Sequence, residues 1–261
     1  MRISIVTVVF NDLLGLKRTA NSVISQDNCD YEWVVCDGGT GDELCQYLAS
    51  LPGIACWVSE PDDGIYDAMN KGVSLCQGDY VVFLNAGDVF SSSNTLSLVI
   101  DKLEAKNSCT DPVDVLFGGA FLELPSGDSV FRGVRKMEDY IWHGLPANHQ
   151  ATYYRREVLL ENSYDLRYKV CGDYYIAAQL YKVGASVAYL EAPLVRFQVG
   201  GASYTNRQLL LLEPYIIQRD VLKQSLTIRI RSIIKRSIAT IIMTAITQRW
   251  FPTIIFRRLS K

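Results

Sequence analysis

Apolar residues fall along this chain in two patterns, and the first fills its opening third. Residues 3–10 (ISIVTVVF) are apolar without alternation, which predicts a strand covered on both faces, as in a parallel sheet. Asn11 and Asp12 end that run. Residues 13–25 then place apolar side chains at 13, 14, 16, 20, 23 and 24, close to the helical period. The alternation repeats through strand 31–36 (YEWVVC) closed by Asp37-Gly38-Gly39, helix 42–51, strand 55–59 (ACWVS), helix 65–76, and strand 80–84 (YVVFL) closed by Asn85-Ala86-Gly87-Asp88. This spacing predicts an α/β fold with a doubly wound sheet, in which ligands bind at the loops that follow strands.

The second half is less regular. Residues 113–122 and 151–154 read as strands, 158–159 open a short helix, 173–183 carry a helical apolar stripe, and 188–197 read as another strand. No repeat or Pro/Gly/Ser-rich linker interrupts the chain before about residue 220, so both halves are expected in one sheet.

Another pattern starts at 225. Residues 225–258 set isoleucines at 228, 230, 233, 234, 238, 241, 242, 246, 254 and 255 among arginines and lysines. The longest uncharged stretch, 237–248, has twelve residues, short of the roughly 20 that a spanning helix needs. On a helical wheel Ile230, Ile234, Ile238 and Ile241 share a face, with Arg231 and Lys235 at its edge. The segment reads as a basic amphipathic helix lying on a bilayer, or as a helix packed on the domain or a partner. The expected division is a domain over 1–220 and a basic apolar tail over 221–261.

With 261 residues, 49% hydrophobic and 21% charged, the chain is neither disordered nor collagen-like, and it is long enough to bury a core without disulfide or zinc staples. Its seven cysteines form no CxxC pair and do not cluster with His143 or His149, which suits a reducing compartment. No charged segment precedes an apolar run at the start, so a cytoplasmic location is expected. Charge is unevenly placed: the tail from Val221 holds nine of the 26 basic residues and no acid, leaving 17 to face all 28 acidic ones, a formal −11. An acidic body with a basic, isoleucine-rich end excludes a nucleic-acid reader and favours docking on an anionic surface.

Asp37, Asp62, Asp63, Asp67 and Asp88 all fall at or just beyond the ends of the expected parallel strands, with glycines among them. Taken singly, an Asp-Gly pair is a turn. Taken together, carboxylates crowded at one rim repel one another, and a divalent cation with a nucleotide diphosphate relieves that repulsion.

Residues 4–11 (SIVTVVFN), 34–39 (VVCDGG), 59–72 (SEPDDGIYDAMNKG), 78–88 (GDYVVFLNAGD), His149-Gln150 and Gly172-Asp173 occur in an order that resembles family 2 glycosyltransferases. The resemblance spans about residues 3–205 and looks closest to bacterial enzymes of colanic acid and O-antigen assembly. It implies the GT-A fold, a Rossmann-like, mostly parallel sheet flanked by helices. It also implies inverting transfer of a hexose, glucose or galactose, from a UDP-sugar onto a sugar carried by undecaprenyl pyrophosphate, with the enzyme peripheral on the inner face of the cell membrane.

By the same resemblance Thr7, Val9 and Asn11 wall the base pocket and Asp37 bonds the uracil or its ribose, although Asp37 also suits a turn. Asp62, Gly64 and Asn70 lie beside the nucleotide, and Lys71 offsets phosphate charge or is a solvated helix lysine. Asn85, Ala86, Gly87 and Asp88 stand where the family binds its metal; with Asn85 replacing one acid, Asp88 is the ligand for Mn²⁺ or Mg²⁺. Asp173 takes the position of the general base, and is also a good helix N-cap residue. His149, Gln150, Gly200 and Gly201 are candidates for acceptor or phosphate contact, His149 being equally a polar slot-filler and the glycines a turn. Two further readings stay open: a nucleotide-sugar-binding protein without transferase activity, and a nucleotide-sugar hydrolase. A dinucleotide-dependent oxidoreductase is excluded by the first turn, Val9-Phe10-Asn11-Asp12, which lacks GxGxxG.

Overall fold

The computed structural model describes residues 1–27, 29–108, 111–124, 127–198 and 206–247, with side chains through residue 241. Strands β1 (Ile3–Val9), β2 (Tyr31–Asp37), β3 (Ile54–Ser59) and β4 (Tyr80–Phe83) lie in the order β3-β2-β1-β4, all parallel. Helices α1 (Leu13–Ile24), α2 (Asp42–Ser50) and α3 (Ile65–Leu75) connect them. The unalternating apolar runs are explained by burial on both faces. Ile3, Ile5 and Val9 of β1 join one core cluster with Trp33 and Val35 of β2, while Val6 and Val8 join the other with Val34 and Cys36. Gly72 lets α3 lie close on β1, because a Cβ there would meet Val6 Cγ1 at 2.4 Å.

Beyond β4 the sheet departs from the mostly parallel expectation. The later elements are β5 (Val89–Phe90), α4 (Thr95–Asn107), β6 (Val115–Glu123), β7 (Ser129–Arg132), α5 (Met137–Tyr140), a 3-10 turn (His149–Ala151), β8 (Thr152–Arg155), α6 (Arg156–Glu161), α7 (Gly172–Lys182) and β9 (Val187–Gln198). The described strands form one nine-stranded sheet in the order β3-β2-β1-β4-β8-β6-β9-β5, with β7 on β6. β8 runs antiparallel to both β4 and β6, β5 to β9 and β7 to β6, so the sheet is mixed. The β6–β7 pair shows why: five residues separate the two strands, Leu124 N–H donates to Asp128 O and Gly127 stands at φ +86°, and so short a connection returns the chain antiparallel.

Two helices were not legible as such. α4 buries Leu96, Val99 and Leu103 on one face, a stripe of moderate amphipathicity in a segment the strand pattern does not demand. α8 (Arg207–Asp220) carries Pro214 in its interior, a residue that normally marks a helix end.

The tail begins as helix α9 (Leu226–Thr247). Ser232 is buried, 2.9 Å from His143 Nδ1 and 2.8 Å from the donating Gln218 Nε2, so α9 is tied to the 141–148 segment and to α8. Ile230, Ile234, Ile238 and Ile241 are 47% to 69% exposed. Arg231 and Lys235, at the edge of the apolar stripe, lie over the Trp142 ring at 5.1 and 5.4 Å. The helix thus turns cations toward the body and isoleucines outward. No described helix is long and apolar enough to cross a membrane.

Candidate active site

A cleft of about 600 Å³ opens at the carboxyl ends of β1, β2 and β4, within the range of small-molecule sites. Val8, Val9, Phe10, Asp12, Gly38, Pro61, Asp62, Gly64, Ile65, Ala68, Asn85 and Ala86 line it. Phe10 projects from the end of β1 with 66% of its surface exposed. Gly38 makes room for it, since a Cβ there would meet the Phe10 ring at 3.0 Å and the Asp62 carboxylate at 2.8 Å.

One hydroxyl joins two walls of the cleft. Thr40 Oγ1 donates to Asp37 Oδ1 and accepts from Asn11 N–H at 2.9 Å, holding Asn11 at φ +52°. Asn tolerates that left-handed backbone better than most residues. Asp37 Oδ2 also accepts from Thr40 N–H at 2.9 Å and Ser59 Oγ at 2.6 Å. Asp37 is therefore a buried loop organiser in this state. Thr7 lies behind the wall, fully buried, accepting the Trp33 indole N–H at 2.9 Å.

The expectation that the rim aspartates crowd together and repel is corrected. Among the described residues, no three His, Cys, Asp or Glu side chains gather in a way that could hold a metal. Asp62 and Asp67 have separate partners. Asp62 Oδ1 accepts from Gly64 N–H at 2.9 Å, Asp67 Oδ2 from Asp63 N–H at 3.1 Å, and Asp67 also pairs with Lys71 at 3.3 Å. Lys71 Nζ is 3.0 Å from Glu60 Oε1 and donates to Pro61 O, so its charge is already matched. Asn70 directs both ends of its amide to the Tyr164 backbone at 2.9 Å, away from the cleft.

Asp88 sits apart, buried beneath the Asn85-Ala86-Gly87 turn. Gly87 at φ +94° makes the turn, and Thr19 Oγ1 fastens it by accepting from Gly87 N–H at 3.0 Å and donating to Asp88 O at 2.8 Å. Gln150 Nε2 donates to Asp88 Oδ2 at 3.1 Å, yet burial still pushes the carboxyl up to about 7. Asn85 Oδ1 is buried without a hydrogen-bond partner. A carboxylate short of stabilisation and an orphaned amide oxygen fit a hard divalent cation, which takes oxygen ligands and keeps waters or ligand oxygens for the rest. His149 lies flat on Phe83 at 5.1 Å, both ring nitrogens sealed and unpartnered, and burial lowers it to about 4. It is a neutral filler here, since burial disfavours its cationic form.

Asp173 stands in the first turn of α7. The N-cap is Cys171, so the N-cap reading of Asp173 is set aside: its Oδ1 accepts from the adjacent Tyr174 N–H, at 2.8 Å. Burial raises the carboxyl to about 6; the Tyr174 bond, Arg236 and Arg132 pull the other way. Its place relative to the cleft is set by Tyr66, in the first turn of α3, whose hydroxyl donates to Val170 O at 2.9 Å. The Tyr66 ring lies so close to Gly172 that a Cβ there would come within 2.8 Å. Glu213 of α8, buried, accepts from the N–H groups of Lys169, Val170 and Cys171 at 2.7, 3.0 and 2.8 Å. These bonds hold the loop that carries Asp173.

Phe10, Thr40, Glu213 and Arg236 were not singled out in the sequence. Glu213 left a signal, a lone acid in the apolar run LLLLEP. Gly200 and Gly201 lie outside the described residues.

A cleft on the carboxyl edge of a half-parallel sheet, with the buried Asp88 behind its Asn85 wall and the half-buried Asp173 reached through Tyr66, is the arrangement of a GT-A-like glycosyltransferase fold. The fold of TarS 1–349 from S. aureus superposes with a TM-score of 0.68 at 16% identity, over 92% of this chain and 72% of that one. A mannosyltransferase, PcManGT of Pyrobaculum calidifontis, solved with GDP-Man and Mn²⁺, gives 0.63 at 15%, over 86% and 65%. Residues 4–160 match Glycosyl transferase family 2, and the chain belongs to that family. An uncharacterized glycosyltransferase of Mycobacterium tuberculosis is 34% identical over 66% of this chain, which spans 65% of that relative's length. A PGL/p-HBAD biosynthesis glycosyltransferase of Mycobacterium bovis is 26% identical over 94% of both chains.

Proposed function

We propose that the protein transfers a hexose from a UDP-sugar, with inversion, to the hydroxyl of a sugar carried on a lipid pyrophosphate, in surface polysaccharide assembly of the O-antigen or colanic acid type. One observation carries the reading: Asp173, beside the first turn of the helix that lines the cleft, has its carboxyl raised to about 6 and remains ionised at neutral pH. A general base is most effective with a pKa near the working pH. Asp173 takes the proton of the acceptor hydroxyl as the oxygen attacks the anomeric carbon from the face opposite the leaving diphosphate.

The donor lies in the cleft with its base against Phe10 and between the loops that Thr40 joins. That the TarS fold has been solved with UDP and with UDP-GlcNAc suits a uridine donor. Asp88 and Asn85 would hold Mn²⁺ or Mg²⁺, which when bound supplies Lewis-acid stabilisation of the leaving diphosphate. The exposed isoleucine face of α9 rests on the inner face of the membrane, burying apolar side chains at the level of the headgroups.

The test is a screen of nucleotide sugars against synthetic sugar-pyrophosphate-lipid acceptors, with and without Mn²⁺. The reading expects metal-stimulated release of UDP only when an acceptor is present, with a β-linked product from an α-linked donor. UDP release that is independent of acceptor marks a hydrolase and overturns it.

A further inference from the structure

Four cations gather on the flank of the molecule where the tail meets the body. Arg132 ends β7, Arg135 follows it, and Lys235 and Arg236 come from α9. The Arg135 guanidinium lies 4.4 Å from the Tyr140 ring centre, and Lys235 Nζ lies 5.2 Å from the same ring. Arg236 Nη2 donates to His143 O, and its guanidinium is 5.8 Å from the ring of Tyr174, the neighbour of Asp173. Aromatic faces hold cations in place without cancelling their charge. Among the described residues none of the four has a carboxylate within 4.0 Å, and Arg236 Nε is buried without a partner. His143 senses the excess: burial and then all four cations lower it to about 3. Arg132 is exposed; desolvation, then Arg135 and Arg236, hold its guanidinium below its ordinary value, with Tyr140 and Asp173 opposing.

Like charges held this close repel one another, and an anion with several oxygens removes that cost. The donor diphosphate does not supply it, because no residue of this cluster lines the donor cleft. We propose that Arg132, Arg135, Lys235 and Arg236 form a second anion site beside Asp173 that takes a phosphate or diphosphate group of the acceptor, with the tail helix supplying half of its charge. The proposal rests on the reading of Asp173 as the group facing the acceptor. It gives α9 a part in substrate recognition besides any membrane contact, and it places the acceptor anion on the side of Asp173 away from the leaving group.

The test uses the full chain saturated with UDP, so that the donor subsite is filled, and follows binding calorimetrically. Three probes are titrated: inorganic pyrophosphate, farnesyl pyrophosphate and phosphatidylglycerol vesicles. Both pyrophosphates are expected to bind, at least tenfold more weakly in the Arg132→Gln/Arg236→Gln double variant and at least threefold more weakly in Arg135→Gln. UDP affinity within twofold of the parent shows that each variant is folded. Arg236→Lys, which keeps the charge, is expected to retain most of the binding. Pyrophosphate binding that is equal in parent and variants, or absent with UDP bound, overturns the proposal. So does binding of vesicles alone, which would make the cluster a general patch for anionic lipid. Failure of UDP to bind defeats the donor-site reading instead, and the variants still report on the arginines through pyrophosphate.

Discussion

The two sides of the cleft are built in different ways. On the donor side, the loops after β1, β2 and β4 are set by short-range bonds: Asp37 with Thr40, Asp62 with Gly64, and the Asn85–Asp88 turn. Asp37, Asp62, Asp67 and Lys71 are matched there, while Asp88 and the Asn85 amide oxygen stay short of partners. On the other side, Asp173 is held and tuned by residues distant in sequence, Tyr66, Glu213 and Arg236, and several charges are left unmatched. The difference teaches that the half proposed to take the nucleotide is a preformed backbone cradle. The other half is an electrostatic assembly completed by the last helices of the chain.

The sharpest test of this contrast is Asp173→Asn. It is expected to lower kcat by about 10²- to 10⁴-fold with UDP affinity unchanged by calorimetry; near-normal turnover would remove Asp173 from the mechanism. Asp88→Asn comes next. Loss of about 10²- to 10³-fold in kcat is expected, the scale of removing one charge-stabilising group, together with weakened UDP binding in Mn²⁺. Unchanged metal stimulation would exclude Asp88 as the ligand.

Glu213→Gln separates positioning from chemistry. It weakens three buried backbone bonds, at about 1–3 kcal/mol of stability, and thermal unfolding should shift down by roughly 2–10 °C. The rate should fall while UDP affinity holds. Thr40→Val is the mirror experiment on the donor side: UDP binding is expected to weaken about five- to tenfold, worth ~1 kcal/mol, with kcat at saturating donor little changed. A larger effect on kcat than on binding would break the division drawn here.

The smallest effect is in pH dependence. As the proposed base Asp173 must be ionised, so kcat/KM should rise with pH through about 6 and level off above it. Arg236 stabilises the ionised form, so Arg236→Gln should move this acid limb to higher pH. A limb that stays put or moves lower contradicts the placement of Arg236 beside the base. The same contact bears on the tail: a chain cut after Gln224 loses Ser232 and Arg236 as well as the isoleucine face, so a soluble acceptor should report reduced turnover, with membrane fractionation reading the apolar face separately.

Much of the donor side was legible because its information is local. Uninterrupted apolar runs mark strands buried on both faces, and Asp, Asn and Gly mark the turns that close them. The later half was less legible. α4 and α8 passed unread, one with a modest apolar stripe and one with Pro214 inside it. The rim carboxylates looked like a mutually repelling crowd because sequence order puts all of them after strands; in space Asp37, Asp62, Asp67 and Asp88 each accept from a different donor. Lys71 and His149, read as possible phosphate contacts, turn out to be matched by Glu60 and Asp67 and stacked on Phe83.

By itself the sequence determined the alternating α/β plan, the family, the positions of the cleft-lining loops, and the presence of a basic, isoleucine-rich end. The family came from a resemblance in motifs spread over residues 4–173; the others follow from patterns within a few residues, where backbone preference and apolar periodicity act directly. Only the tertiary structure decided which charges meet. Arg132, Asp173, Glu213 and Arg236 are brought together by sheet order and by helices packing on one another, and the energies that tune Asp173 depend on burial and distance, which no local pattern encodes.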